Sequence, residues 1–391
     1  MPDICLGNCI KCGKCARFPI LDEFDNAAEI INPRNGYGIA IDMGTTAVVL
    51  ALTDLQSGEV VLRHSFLNPQ RRFGPDVISR IDAAGKGNLE TLRELIREAL
   101  SAGINKLLSQ YEVKPEQAAD ISIAGNTVMT YLLLGFPCQS LGVVPFEPAY
   151  LMSPPYRSRE LFSGCDVDCD VEIIPWLGAF AGGDITSGLA YSLFWAKKRF
   201  MLIDLGTNGE IALYDNGNLK VTATAAGPAF EQPVSTSKEA FAGASEVIST
   251  LAGMVKAGEI NEQGVPENED VFTRKQISDL QLAKSAIRCG VEILLEAGGL
   301  NPGDLEAVYL AGGIGRAMNI DDAITIGLLP NELKAISLPA SNSSLAGAAA
   351  LLTAPCRMRE NINKLVSAAK EINLAAHPDF SDYFMRYIAF S

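Results

Sequence analysis

Apolar residues along this chain gather in short unbroken runs, separated by longer stretches in which they recur at helical spacing. Residues 38–41 form one such run, which enters Asp-Met-Gly-Thr-Thr and is followed by the apolar AVVLALTDL. LQSGEVVLRHSF then reads as a turn and a further strand. From 88 to 110 the apolar positions Leu92, Leu95, Ile96, Ala99, Leu100 and Ile104 share one stripe, which predicts an amphipathic helix laid on a core. ISIAGN reads as a buried strand ending in a turn, and TVMTYLLLG as the helix that leaves it.

The same pattern then returns. Residues 200–203 are a short apolar strand entering DLGTNGE, and IALYDNGNLKV follows as strand, Asn-Gly turn and strand. The two Asp-x-Gly-Thr loops begin at Asp42 and Asp204, 162 positions apart, which exceeds any solenoid repeat and predicts two similar domains. A long helix is expected over 273–297, a buried strand at AVYLAGG, and a closely packed small-residue helix over 344–352. The expected division is a Cys-rich head over 1–35, closed by Asn-Pro and Asn-Gly turns, and a first lobe over 36–183. A second lobe follows over 184–343, and 344–391 return to the first lobe.

Composition narrows the class. With 391 residues and 48% hydrophobic content, the chain can bury more than one core. A net charge of −14 offers no basic surface to a nucleic-acid backbone, which excludes DNA and RNA as expected partners. The N-terminus lacks a basic stretch followed by an apolar run, and the apolar segments 121–136 and 173–195 are both interrupted by polar or glycine residues. Neither is a clean span of about 20 apolar residues, so no membrane segment is expected and a cytoplasmic protein is. Only His64 and His377 are available, which argues against histidine triads and multi-histidine metal sites.

The candidate chemistry lies in the paired loops. A strand ending in Asp-x-Gly sets a carboxylate beside a tight turn whose N–H groups can approach a phosphate, and the Asp can hold Mg²⁺ through water. One such loop is weak evidence, since Gly-Thr turns are common; two would clamp one triphosphate from opposite sides. The candidate contacts are Gly44, Thr45 and Thr46 in the first loop, Gly206, Thr207, Asn208 and Gly209 in the second, and Asn126 at a strand exit. Gly312, Gly313 and Gly315 form a glycine-rich strand exit that could admit a nucleoside, or could be a turn alone. Asp184 could be an ordinary helix N-cap or could orient an attacking water, and Glu210 competes for that role.

Nine cysteines divide into a cluster of four, Cys5, Cys9, Cys12 and Cys15, and five scattered from Cys138 to Cys356. The C-x3-C-x2-C-x2-C spacing suits three corners of a [4Fe–4S] cubane, with zinc and thiol redox chemistry as alternatives. Cys5 is the least secure ligand, and Cys165 or Cys169 could compete with it. Cys138, Cys289 and Cys356 are expected to be buried apolar filler.

These strings resemble the actin-like ATPase superfamily, which includes sugar kinases and heat-shock chaperones. IAIDMGTTAVVLAL is similar to its first phosphate motif, LIDLGTNGEIALY to its second and VYLAGGIGRAMN to its adenosine motif. GGDITSGLAYSL and SLAGAAALL resemble its two connecting helices. The resemblance implies an α/β fold of two ribonuclease-H-like lobes around a nucleotide cleft. More narrowly, GPDVISRI, AGNTVMTYLLLG, LGVVPFEP, DLQLAKSAIRCGVEILL, AGPAF and LAGGIGRAMNIDDAITIGLLP resemble the ATPase part of reductive activators of corrinoid proteins. That family implies ATP, Mg²⁺, an iron–sulfur cluster, and reduction of a Co(II) corrinoid to Co(I). It also implies a corrinoid protein or corrinoid-dependent methyltransferase as partner, and Gln281 and Lys284 near the adenine. A ferredoxin or flavodoxin would be the electron donor, and a homodimer is an allowed assembly. The family's usual larger ferredoxin-like, linker and middle domains are expected to be missing, replaced by the short Cys head, and EQPVSTSKEAFAGA stands where a glycine-rich segment is expected. Competing functions are activation of another low-potential metalloenzyme of the dehydratase-activator type, a small-molecule kinase, and a nucleotide-binding regulator with structural zinc.

Overall fold

Both Asp-x-Gly loops leave the end of a buried strand that opens a sheet. The computed structural model describes residues 32–195, 197–206, 208–224, 229–230, 244–340 and 342–390. Cys5, Cys9, Cys12, Cys15, Thr207 and most of the stretch from AGPAF to 243 lie outside them. The chain forms two compact units, one of residues up to 195 with 343–367, the other of 196–342 with 368–391.

In the first unit β1 (Tyr37–Met43), β2 (Ala47–Asp54) and β3 (Val60–Leu67) make an antiparallel meander. Helices α1 (Val77–Ala83) and α2 (Leu89–Gln110) follow, then β4 (Ala118–Gly125), α3 (Thr127–Leu134), β5 (Tyr156–Arg157), α4 (Ser158–Leu161), β6 (Asp170–Ile173) and α5 (Gly183–Ser192). The sheet order is β3-β2-β1-β4-β6-β5, with β4 parallel to β1 and β6 parallel to β4. Ile39, Ile41, Ile121 and Ile123 are fully buried because these central strands are covered on both faces. On one face lies α2, whose Leu92, Ile96, Leu100 and Ile104 are buried as their spacing predicts, while Leu95 and Ala99 stay partly exposed at the stripe's edge. Asn126 caps α3 by accepting from the Met129 N–H at 2.9 Å, and Gly135 ends it at φ 77°.

The second unit repeats this plan with β7 (Arg199–Leu205), β8 (Gly209–Asp215), β9 (Asn218–Thr224), α6 (Ala244–Ala257), α7 (Arg274–Gly298), β10 (Ala307–Ala311), α8 (Gly312–Gly315), α9 (Ile320–Thr325) and β11 (Ser337–Pro339). Its order is β11-β10-β7-β8-β9, with β12 (Ala369–Glu371) added beyond β9. Strands β7, β8, β9, β10 and β11 thus repeat the places and directions of β1, β2, β3, β4 and β6. In β1 and in β7 the sixth residue is the aspartate, half-buried between buried neighbours. The β8–β9 turn places Asn216 and Gly217 at positive φ, as a two-residue hairpin requires. Helix α7 starts from a Thr273–Gln276 capping box, one residue from the expected boundary.

Two more helices, α10 (Ser343–Thr353) and α11 (Pro355–Ala368), carry the chain back through the first unit, and α12 (Phe380–Arg386) belongs to the second. The division differs from the expected one at two points. Helix α5 packs within the first unit, because its small residues accept α10. Residues 368–391 join the second unit, because β12 extends the open edge of β9 in parallel and α12 lies on α7. No helix among the described residues is long and apolar enough to cross a membrane.

Candidate functional site

The first loop is held from several sides. The Gly44 N–H donates to the Ala47 carbonyl at 3.0 Å, and a Cβ at Gly44 would lie 2.6 Å from that same oxygen, so the turn requires glycine. Asn126 reaches across from the exit of β4, where its Nδ2 donates to Thr45 Oγ1 at 2.9 Å. Gly182 and Gly183 let the start of α5 sit against that exit: a Cβ on Gly182 would fall 2.4 Å from the Asn126 Cα, and one on Gly183 2.5 Å from the Ile174 carbonyl. The helix N-cap is therefore Gly182, and Asp184 lies in the first turn instead of capping it.

Asp184 and Asp42 form an electrostatically linked carboxyl pair. Burial, then the neighbouring Asp42 charge, push Asp184 up to about 7, against the pull of the Ile185 N–H. Asp42 Oδ1 accepts from Ser344 Oγ at 2.8 Å, which ties the strand end to the start of α10. The α5–α10 crossing beneath is very close: Ser187 Oγ donates to the Ser344 carbonyl at 2.7 Å, and a Cβ on Gly347 would stand 2.2 Å from the Ser187 carbonyl. A carboxylate at a strand end and another in the first turn of a helix, both beside glycines, are donors that suit a hydrated divalent cation.

The second loop presents the matching arrangement. Gly206 N–H donates to the Asn208 carbonyl at 2.9 Å, and Glu210 stands directly across from Asp204 in the β7–β8 register. Gly209 accepts from Thr224 Oγ1 at 3.2 Å and has no room for a Cβ beside that hydroxyl. Strand β10 runs parallel to β7 with Ala311 level with Asp204, and Gly312 follows at φ 77°. A Cβ on Gly312 would meet Asp204 Oδ1 at 2.3 Å, whereas Gly313 faces open space. Asp204, Glu210 and Gly312 are thus brought together, while Asp184 and Glu210 belong to different units, each beside its own aspartate.

Gln281 and Lys284 are held by the C-terminal segment. Lys284 is almost wholly buried; its Nζ donates to the carbonyls of Tyr387, at 2.7 Å, and Ala389, with the Phe390 ring centroid 5.2 Å away. Burial, aided by Arg288, lowers its pKa to about 7. Gln281 Nε2 donates to the Ile388 carbonyl at 3.1 Å.

Two residues that the sequence did not single out brace the first loop. Asn68 Nδ2 donates to the Gly44 carbonyl at 3.0 Å, and Arg80 Nη2 to the Thr45 carbonyl at 2.7 Å. Arg80 belongs to GPDVISRI, and only a tertiary fold could reveal that this helical arginine turns inward. Among the scattered cysteines, Cys138 and Cys289 are buried as expected; Cys356 is exposed on α11, which corrects its reading as core filler. Cys165 and Cys169 lie in the first unit's core, where burial pushes both thiols up, Cys169 to about 12.

Twin sheets of matching order, each ending its first strand in an acid-bearing glycine loop, define an actin-like ATPase fold of the ASKHA class. Within that class the chain belongs to the RACo family: the model of the RACo middle region matches residues 37–196, so the middle domain expected to be missing is present, and that of the C-terminal ASKHA domain matches 198–256 and 253–391. It is 30% identical to the corrinoid activation enzyme RamQ of Eubacterium limosum, over 89% of this chain and 69% of that protein. It is 22% identical to a [Co(II) methylated amine-specific corrinoid protein] reductase of Methanosarcina barkeri, over 89% of this chain and 76% of that one. A solved reductive activator for corrinoid, iron–sulfur protein superposes with a TM-score of 0.78 at 29% identity, covering 91% of this chain and 66% of that chain.

Proposed function

We propose that this chain is an ATP-hydrolysing reductive activator that passes a low-potential electron to a Co(II) corrinoid protein or corrinoid-dependent methyltransferase and restores Co(I). The observation that carries the reading is the pair of carboxylate loops, Asp42 with Asp184 and Asp204 with Glu210, in a chain of the RACo family. Cys5, Cys9, Cys12 and Cys15 would hold a [4Fe–4S] cluster, which supplies one-electron chemistry when bound. A ferredoxin or flavodoxin would refill it. The aspartates would hold Mg²⁺ on the phosphates through water, and Asp184 or Glu210 would orient the attacking water. The glycines at 312, 313 and 315 would leave room for the nucleoside. Hydrolysis is needed because an electron moved uphill is disfavoured tenfold for each 59 mV or so. ATP can drive the step only if its bound state changes the affinity for the partner.

The test uses anaerobically purified, reduced protein, a Co(II) corrinoid protein and ATP, with Co(I) trapped as methyl-Co(III) and followed by absorbance. About four iron and four sulfide per chain are expected, and Asp42→Ala and Asp204→Ala should each slow hydrolysis by roughly 10²–10³ without changing the iron content. Stoichiometric zinc without acid-labile sulfide would remove the redox reading. Intact protein that hydrolyses ATP yet leaves its partners at Co(II) would remove the corrinoid one.

A further inference from the structure

The guanidinium of Arg80 is fully buried directly behind the first phosphate loop. Besides Thr45, it donates through Nε to the Gly74 carbonyl at 3.2 Å and through Nη1 to the Met129 sulfur at 3.0 Å. No described carboxylate lies within ion-pair distance; Asp76, the acid that acts on it, has its carboxylate committed to the cap of α1 through the Ser79 N–H at 2.8 Å. A buried cation bound only to neutral acceptors is costly, and the fold keeps it at one place, against the peptide that follows Thr45.

That peptide is trans, as is the one before it. In a trans peptide the carbonyl and the following N–H point in opposite directions. With the Thr45 carbonyl turned onto Arg80 and the Gly44 carbonyl onto Asn68, the Thr46 and Thr45 N–H groups both face away from the braces. Successive N–H groups aimed to one side make a concave anion site, and a cation on the rear carbonyl polarises the peptide so that its N–H becomes a stronger donor.

Building on the ATP reading above, we propose that Arg80 is a positioning residue for the nucleotide phosphates, which aims and polarises the Thr46 N–H from the interior without touching the ligand.

The test compares the affinities of adenosine, AMP, ADP and Mg-ATP for the full chain and for Arg80→Met and Arg80→Lys, by calorimetry. Arg80→Met should leave adenosine nearly unchanged and weaken Mg-ATP by roughly 10- to 100-fold, the loss growing with the number of phosphates. Arg80→Lys, which keeps the charge, should restore most of the preference for phosphate. Equal weakening of adenosine and Mg-ATP would mean that Arg80 is merely structural and would overturn the proposal. If Arg80→Met does not fold, hydrogen exchange on the parent protein decides. ADP, but not adenosine, should protect the Thr45 and Thr46 amides, and unprotected amides with bound ADP would overturn the proposal. A parent protein that binds none of the four ligands refutes the nucleotide reading itself, and this inference with it.

Discussion

Replacing Asp184 by Asn should make the protein more stable at alkaline pH while disabling it. In the folded chain Asp184 is raised from 3.8 to about 7, first by burial and then by Asp42. The folded state therefore holds a proton that the unfolded chain has already lost, and the proton belongs to the Asp42–Asp184 pair as a unit. Stability contributed in this way is complete below about pH 4 and is lost as pH rises through 7. A displacement of about three pH units corresponds to about 4 kcal/mol of strain carried at pH 8. Asn has the same shape, keeps an oxygen for the Ile185 N–H that Asp184 accepts at 2.9 Å, and carries no charge. Asp184→Asn should thus raise the melting temperature of the first unit by on the order of 10 °C at pH 8 and by only about a quarter of that at pH 4.5. Calorimetry with EDTA and without nucleotide is the assay, because a bound cation would neutralise the pair. ATP hydrolysis should fall in the same variant, a trade of activity against stability. A melting difference that stays constant from pH 4.5 to 8, or a variant less stable than the parent at pH 8, would refute the coupling.

Two further perturbations probe the scaffold. Gly347→Leu should prevent α10 from seating on α5, since even a Cβ there meets the Ser187 carbonyl at 2.2 Å; a loss of roughly 3 kcal/mol or more is expected in urea unfolding, and an unchanged midpoint would contradict the close crossing. Lys284→Met removes the donor to the Tyr387 and Ala389 carbonyls, so hydrogen exchange in residues 384–390 should accelerate by roughly tenfold while β1 and β4 are unaffected.

Much of this arrangement was legible in the sequence, because the decisive signals are local. Asp42 and Asp204 announce themselves by a short apolar run and a glycine turn, and α2, α3, α7 and α10 by period, caps and small residues. What periodicity cannot encode is which unit a late segment joins. Residues 369–371 carry no mark that they will extend β9, since an edge strand is recruited through its backbone. The role of Asp184 was ambiguous for a similar reason. An acid near a helix start suits a cap, and only the packing of Gly182 on Asn126 moves the cap position away from it. Arg80 shows the same limit from another side. Nothing in GPDVISRI marks the arginine as turned inward, and the carbonyl that it serves lies 35 residues earlier.

The threading of α10 has a consequence for how the protein comes into being. Asp42 and its partner Ser344 are separated by 302 residues, and α10 lies over β1, β2 and β4. On the ribosome, the first unit can assemble its sheet once residue 195 has emerged, but it must wait for residue 353 before that face is covered. At about 5–20 residues per second, the exposed interval lasts roughly ten to thirty seconds. During that time the second unit grows from the same chain with a sheet of the same strand order. A nascent chain released before residue 343 would carry both Asp-x-Gly-Thr loops and the glycines at 312, 313 and 315, yet lack the helix that anchors Asp42. Completion of the first loop is thereby deferred until α10 has been made, so that chains terminated before it are left without the Ser344 anchor of Asp42.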